Sequence, residues 1–146
     1  MNKICTSQEQ SKKLIELGID ATTADMFWDT LSTKNPEAQV DNHHLVDEYD
    51  DWYRVPAWSL SALMNLLPSE FTVVGKYSDT TYKLDIRKYA LTDDVDIYQI
   101  AYGNYRRYDD GSCSWSDMIN SGEKEELIDA VFQMVVWLLK NKKLIN

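Results

Sequence analysis

His43 and His44, followed by Asp47 and Glu48, are the residues in this chain that crowd together most as metal ligands do. Their spacing does not complete a site. Adjacent histidines diverge on a strand, there is no His-x-x-x-His pair, and no distant Cys or His fills out a tetrahedral set. The acids could face a hard cation, but the Asp-x-Asp-x-Asp-Gly loop is missing. A solvated acidic loop accounts for the segment, so neither a metal nor a cofactor is expected. Nucleophilic chemistry lacks its parts as well. Cys113 has Arg106, Arg107 and several acids near it, while the histidines lie about seventy residues earlier. A catalytic thiol needs a base within hydrogen-bond reach and a third group to orient that base. Five glycines are too few and too dispersed for a phosphate loop, and neither glycine-rich nucleotide motif occurs. Asp93, Asp94, Asp96, Asp109 and Asp110 sit at turns, where aspartate bonds its own backbone. No catalytic residue is assigned, and the residues lean away from an enzyme without deciding it.

One stretch interleaves aromatic and basic residues: Tyr98, Tyr102, Tyr105, Arg106, Arg107 and Tyr108. Such a surface can stack single-stranded nucleic acid. Here only two arginines take part, beside Asp109 and Asp110, and sheet packing explains the pattern better. The net charge of −9 also argues against nucleic acid, because phosphate attraction needs clustered cations. Six acids and no Lys or Arg lie between Asn35 and Tyr53. Asp47, Glu48, Asp50 and Asp51, with Trp52, therefore form the candidate interaction surface, toward a basic protein partner or in self-association.

The supporting elements follow from periodicity. The 146 residues, 44% of them hydrophobic, suit one domain over 1–146. Ser7 to Gln10 fits a capping box, which predicts a helix over about 7–17 ended by Gly18. Thr22 or Thr23 caps a short turn, a weak strand runs over 25–31, residues 32–44 read as loop around Asn35-Pro36, and 45–53 as an edge strand. The run from Pro56 to Pro68 reads as a short amphipathic helix with a proline at each end, with Leu60, Leu63, Met64 and Leu67 on one face and Trp58 sealing it to a sheet. From Phe71 onward the period changes to two. Strands are expected at 71–77, 81–88, 95–102, 104–109 and 112–116, with Tyr82, Leu84 and Ile86 facing inward and Lys83, Asp85 and Arg87 outward. An Asp110-Gly111 hairpin would place Arg106 over Trp115. A last helix is expected from Glu123 to about Asn141, acidic at its start and basic at its end. The fold class is α+β: a mainly antiparallel sheet of about four to five strands with three helices packed on one face.

Cys5 and Cys113 form no Cys-x-x-Cys motif and read as free thiols of a reducing cytoplasm. No stretch approaches a membrane span, and the N-terminus lacks a signal-peptide apolar core. A cytoplasmic protein without membrane contact is expected. Ile4–Ser7 through Gly18-Ile19, Thr23–Met26, and above all Pro56-Ala57-Trp58-Ser59-Leu60-Ser61-Ala62-Leu63 resemble segments of small uncharacterised proteins of gut bacteria and their prophage-like elements, as does Phe132–Leu144. The resemblance implies a small accessory protein of mobile-element origin and supplies no catalytic residue. The leading function is thus a non-enzymatic interaction or regulatory protein. The alternative is a small hydrolase or ligand-binding enzyme whose site gathers His43 or His44, Cys113 and a carboxylate from distant positions. If the acidic segment is the contact, replacing Asp47, Glu48, Asp50 and Asp51 by Asn or Gln weakens salt-sensitive capture of a basic partner. The melting temperature should barely move, since exposed ion pairs contribute about 0–1 kcal/mol each.

Overall fold

The computed structural model describes residues 3–30, the backbone of 37–40, and residues 54–143. Ser7 Oγ accepts from Gln10 N–H at 3.1 Å, and Gln10 Oε1 accepts from Ser7 N–H at 2.9 Å. This capping box satisfies amide donors that a helix start leaves without partners. Helix α1 (Gln8–Glu16) follows and buries Leu14 completely. The short turn at Ala21–Thr23 is capped by Asp20, not by a threonine: Asp20 Oδ1 accepts from Thr22 N–H at 2.9 Å.

The expected single sheet is instead two antiparallel ones. In the first, β1 (Met26–Asp29) lies between β2 (Glu37–Val40) and β3 (Arg54–Ala57). Residues 32–44 are therefore not all loop, because Val40 pairs with Met26 and Glu37 with Asp29. Four residues are too few for a period-two signal to stand out beside Asn35-Pro36. The expected edge strand at 45–53 lies outside the described residues.

Pro56 does not start a helix. It sits within β3 opposite Phe27. Among the described residues β3 is an edge strand, where a missing N–H is tolerated. Helix α2 is only Leu60–Met64. Ser59 caps it by accepting from Ala62 N–H at 3.2 Å, and Asp25 fixes the cap, accepting from Ser59 N–H at 2.8 Å and from its hydroxyl at 2.5 Å. Trp58, in the junction between β3 and α2, is fully buried. Its N–H donates to Thr6 Oγ1 at 3.0 Å, its carbonyl accepts from Thr6 N–H at 2.9 Å, and its indole N–H donates to Thr23 Oγ1 at 2.9 Å.

The second sheet is a meander of β4 (Glu70–Val73), β5 (Thr80–Ala90), β6 (Asp96–Arg107) and β7 (Cys113–Asn120), in that spatial order. The segments expected at 95–102 and 104–109 are one strand, with a register irregularity at Tyr102/Gly103 in place of a break. Alternation along β5 holds: Tyr82 and Leu84 pack on the core, but Ile86 is 44% exposed. The reason is local. β4 pairs only with Thr80–Lys83, so no strand flanks Ile86 on that side among the described residues.

Helix α3 (Leu127–Lys140) covers this face, burying Ile128, Val131, Met134, Val135 and Leu138 beside Ile100 and Tyr102. It starts later than its acids suggest. Ser121 N–H donates to Ile100 O at 2.7 Å and Lys124 N–H to Tyr98 O at 3.0 Å, so this stretch runs alongside β6 and Glu123 and Glu125 precede the helix. The first-turn acid is Asp129, which accepts from Lys3 Nζ at 2.7 Å and Gln10 Nε2 at 2.8 Å. Burial alone would raise its carboxyl, but those donors hold it below the usual carboxylate range. Helix α3 packs on β6 of the four-stranded sheet and against α2, whereas α1 has its main contacts with β3 of the other sheet. Trp58→Ala should lower unfolding free energy by about 3–5 kcal/mol, and Ser7→Ala by about 1 kcal/mol, both read by urea denaturation.

Candidate binding surface

The sheet face turned away from α3 is built by alternation on three strands. Lys83, Asp85 and Arg87 of β5 stand opposite Gly103, Ala101 and Gln99 of β6. Gly103 in turn pairs with Asp117 of β7, and Tyr105 with Trp115. Two-residue steps on each strand thus bring groups far apart in sequence into one open depression of about 830 Å³.

Arg87 is its centre. Its Nη1 and Nη2 donate to the two carboxylate oxygens of Asp117 at 2.9 and 2.5 Å, its Nε to Asp85 at 2.7 Å, and Nη1 also to Gln99 Oε1 at 3.2 Å. The paired fork geometry is the strongest form of a guanidinium–carboxylate contact. Asp117 also accepts from the Trp115 indole N–H at 2.6 Å. The Arg87 hydrogen bonds hold the Asp117 carboxyl below the usual carboxylate range, and Asp117, with Asp85 behind it, raises Arg87 in turn.

Gly103 lets the indole approach the strand. A Cβ there would run into the Ser116 backbone oxygen and the Trp115 ring. Tyr105 meets Trp115 edge to face, with ring centroids 5.2 Å apart at 80°. Tyr105 is 72% exposed. The arrangement suits noncovalent contact more than catalysis. Arg87 is committed to two carboxylates, and Asp117, held ionised by it, is a poor proton acceptor. What remains for a ligand is a fixed aromatic pair with Lys83 beside it.

The Asp110-Gly111 hairpin forms one residue out of the expected register. Gly111 N–H donates to Tyr108 O at 3.0 Å and Tyr108 N–H to Ser112 O at 2.9 Å, with Gly111 at φ 85°. That is a three-residue loop closed by a left-handed glycine, not a two-residue turn. A one-residue slip exchanges the faces, so Tyr105 and not Arg106 meets Trp115. Asp110 does keep its turn role, accepting from Ser112 N–H and hydroxyl at 2.9 and 2.6 Å.

The residues singled out from sequence for an interaction surface, Asp47, Glu48, Asp50, Asp51 and Trp52, lie outside the described residues, as do His43 and His44. Cys113 is exposed at the start of β7 opposite Arg107, and Cys5 is buried, which pushes its thiol up. Among the described residues no group of three or more His, Cys, Asp or Glu is placed to hold a metal, and no helix is long and apolar enough to cross a membrane. Sequence reasoning placed Arg87 outward but not its partner. Asp117 is thirty residues away, and only the β5–β6–β7 register joins them.

No protein-family model, curated protein or solved structure matches the chain.

Gly103→Ala should displace Trp115 and destabilise by about 1–3 kcal/mol, seen as a changed tryptophan emission and a lower denaturation midpoint. Asp117 has a depressed folded pKa, so its stabilising contribution is present above the unfolded carboxylate value, about 4, and is lost as pH falls through the folded one. Asp117→Asn should flatten that acid limb of a stability–pH curve.

Proposed function

We propose that this is a non-enzymatic interaction protein, a small acidic accessory or regulatory protein of mobile-element type, whose partner is another protein. The observation that carries this reading is the Tyr105–Trp115 pair on the open sheet face. Both rings stand on strands, the indole is tied to Asp117, and Asp117 is clamped by Arg87. Aromatic residues held in one geometry before contact lose little entropy on binding, and such anchors carry a large share of interface energy. The charge of −9 favours a basic partner through long-range attraction. In this reading Asp47, Glu48, Asp50, Asp51 and Trp52 add to that attraction.

The test is quantitative affinity capture from the native host with wild-type, Tyr105→Ala and Trp115→Ala baits, followed by direct binding of whatever is enriched. Each replacement should weaken the partner about tenfold or more, with Tyr105→Ala melting like wild type because that ring is exposed. A partner held equally well by both variants would remove this face from the interaction.

A further inference from the structure

Where the four-stranded sheet extends past α3, its helix-facing side carries a second group of side chains. One step beyond the Lys83–Gly103 pair, Tyr82 of β5 and Asn104 of β6 point to this side, and Asn104 pairs with Ser116 of β7. Two residues further out stand Thr80 and Arg106. With Tyr105, Arg107, Asp117 and Met118, these five line a depression of about 490 Å³. The side chains of the five make no hydrogen bond or ion pair among the described residues, unlike the saturated Arg87 network on the opposite face. The core ends here in a row of donors from three neighbouring strands: a guanidinium, three hydroxyls and an amide.

Two cations, Arg106 and Arg107, and one acid, Asp117, line the depression. Asp117 is already bound by Arg87, and Glu70 alternates away from the core-facing Phe71. A further cation stands near. Lys143 Nζ lies 5.9 Å from the centre of the Phe71 ring, which is 5.7 Å from the Tyr82 ring. We infer that the Thr80, Tyr82, Asn104, Arg106 and Ser116 cluster is a binding site for a phosphoryl group, with Arg106 as its principal cation. Guanidinium, hydroxyl and amide donors are the groups that contact phosphate oxygens, and a tetrahedral oxyanion has acceptors enough to engage donors arriving from three strands. A carboxylate offers only two oxygens in one plane and leaves part of this set unused. The net charge of −9 opposes anions at long range, so binding here depends on contact donors and not on steering.

The experiment is a titration of the full ¹⁵N-labelled chain with inorganic phosphate, phosphoserine and acetate at matched pH and ionic strength, following the amides of 104–107 and 116. Phosphate or phosphoserine should shift these amides saturably, and acetate should not. Tighter binding of inorganic phosphate points to the free ion, and tighter binding of phosphoserine to a phosphorylated side chain. Arg106→Ala should weaken binding about tenfold or more, and Tyr82→Phe and Ser116→Ala each about two- to fivefold. Lys12→Ala removes the same charge from the exposed face of α1 and should change affinity by less than about twofold. Equal shifts with acetate, or equal losses for Arg106→Ala and Lys12→Ala, would overturn the assignment in favour of general charge screening.

Discussion

The reciprocal bonding of Thr6 and Trp58 is the constraint on which the other contacts rest. Both residues are completely buried, and each supplies the polar partner that the other's backbone needs. A buried amide without a partner would cost about 1–3 kcal/mol, so the two positions are fixed together. Trp58 also belongs to the core shared with Ile100, Tyr102 and α3. Thr6 bonds Ser11 at 2.8 Å, and its carbonyl accepts from the Trp28 indole at 2.8 Å. One threonine thus joins the N-terminal segment, the three-stranded sheet and the β3–α2 junction.

The meander does different work on its two faces. Toward α3 it presents Phe71, Tyr82, Leu84, Ile100 and Tyr102, which exclude water and make the strands rigid. Away from α3 it uses that rigidity to hold polar and aromatic groups in place, because side chains at alternate positions inherit the alignment of the strands. Tyr102 links the inner face to the loop after α2 by donating its hydroxyl to Pro68 O at 2.6 Å, and burial pushes that hydroxyl's pKa well up. Arg87 braces the outer face by joining β5 to β7 across β6.

Local signals in the sequence were legible, and signals that depend on register were not. Ser7 and Gln10 announce α1 because a capping box is complete within four residues. Tyr82 and Leu84 announce β5 because alternation is a property of one strand. Pro56 misleads, since a proline suits an edge strand as well as a helix start, and only pairing with Phe27 decides between them. The acids at 123 and 125 suggest a helix start that the backbone bonds of Ser121 and Lys124 to β6 postpone. The outer-face cluster was half visible. Arg87 points outward by period, but the Tyr105–Trp115 contact turns on whether the hairpin loop holds two or three residues, a difference of one glycine conformation.

The salt bridge from Lys3 to Asp129 has a consequence for how the chain reaches this structure. Its partners are 126 residues apart in sequence, and the Thr6–Trp58 bonds span 52. The strands between residues 70 and 120, by contrast, pair only with the strands next to them in sequence. Contacts of low sequence separation close small loops and form at little entropic cost, whereas distant ones wait until the ends have been brought together. The meander and its covering helix are then the early-forming unit, and the N-terminal strap is added to a surface already assembled. Replacements in the strap would appear mainly as faster unfolding, with the rate of collapse left to the hairpins.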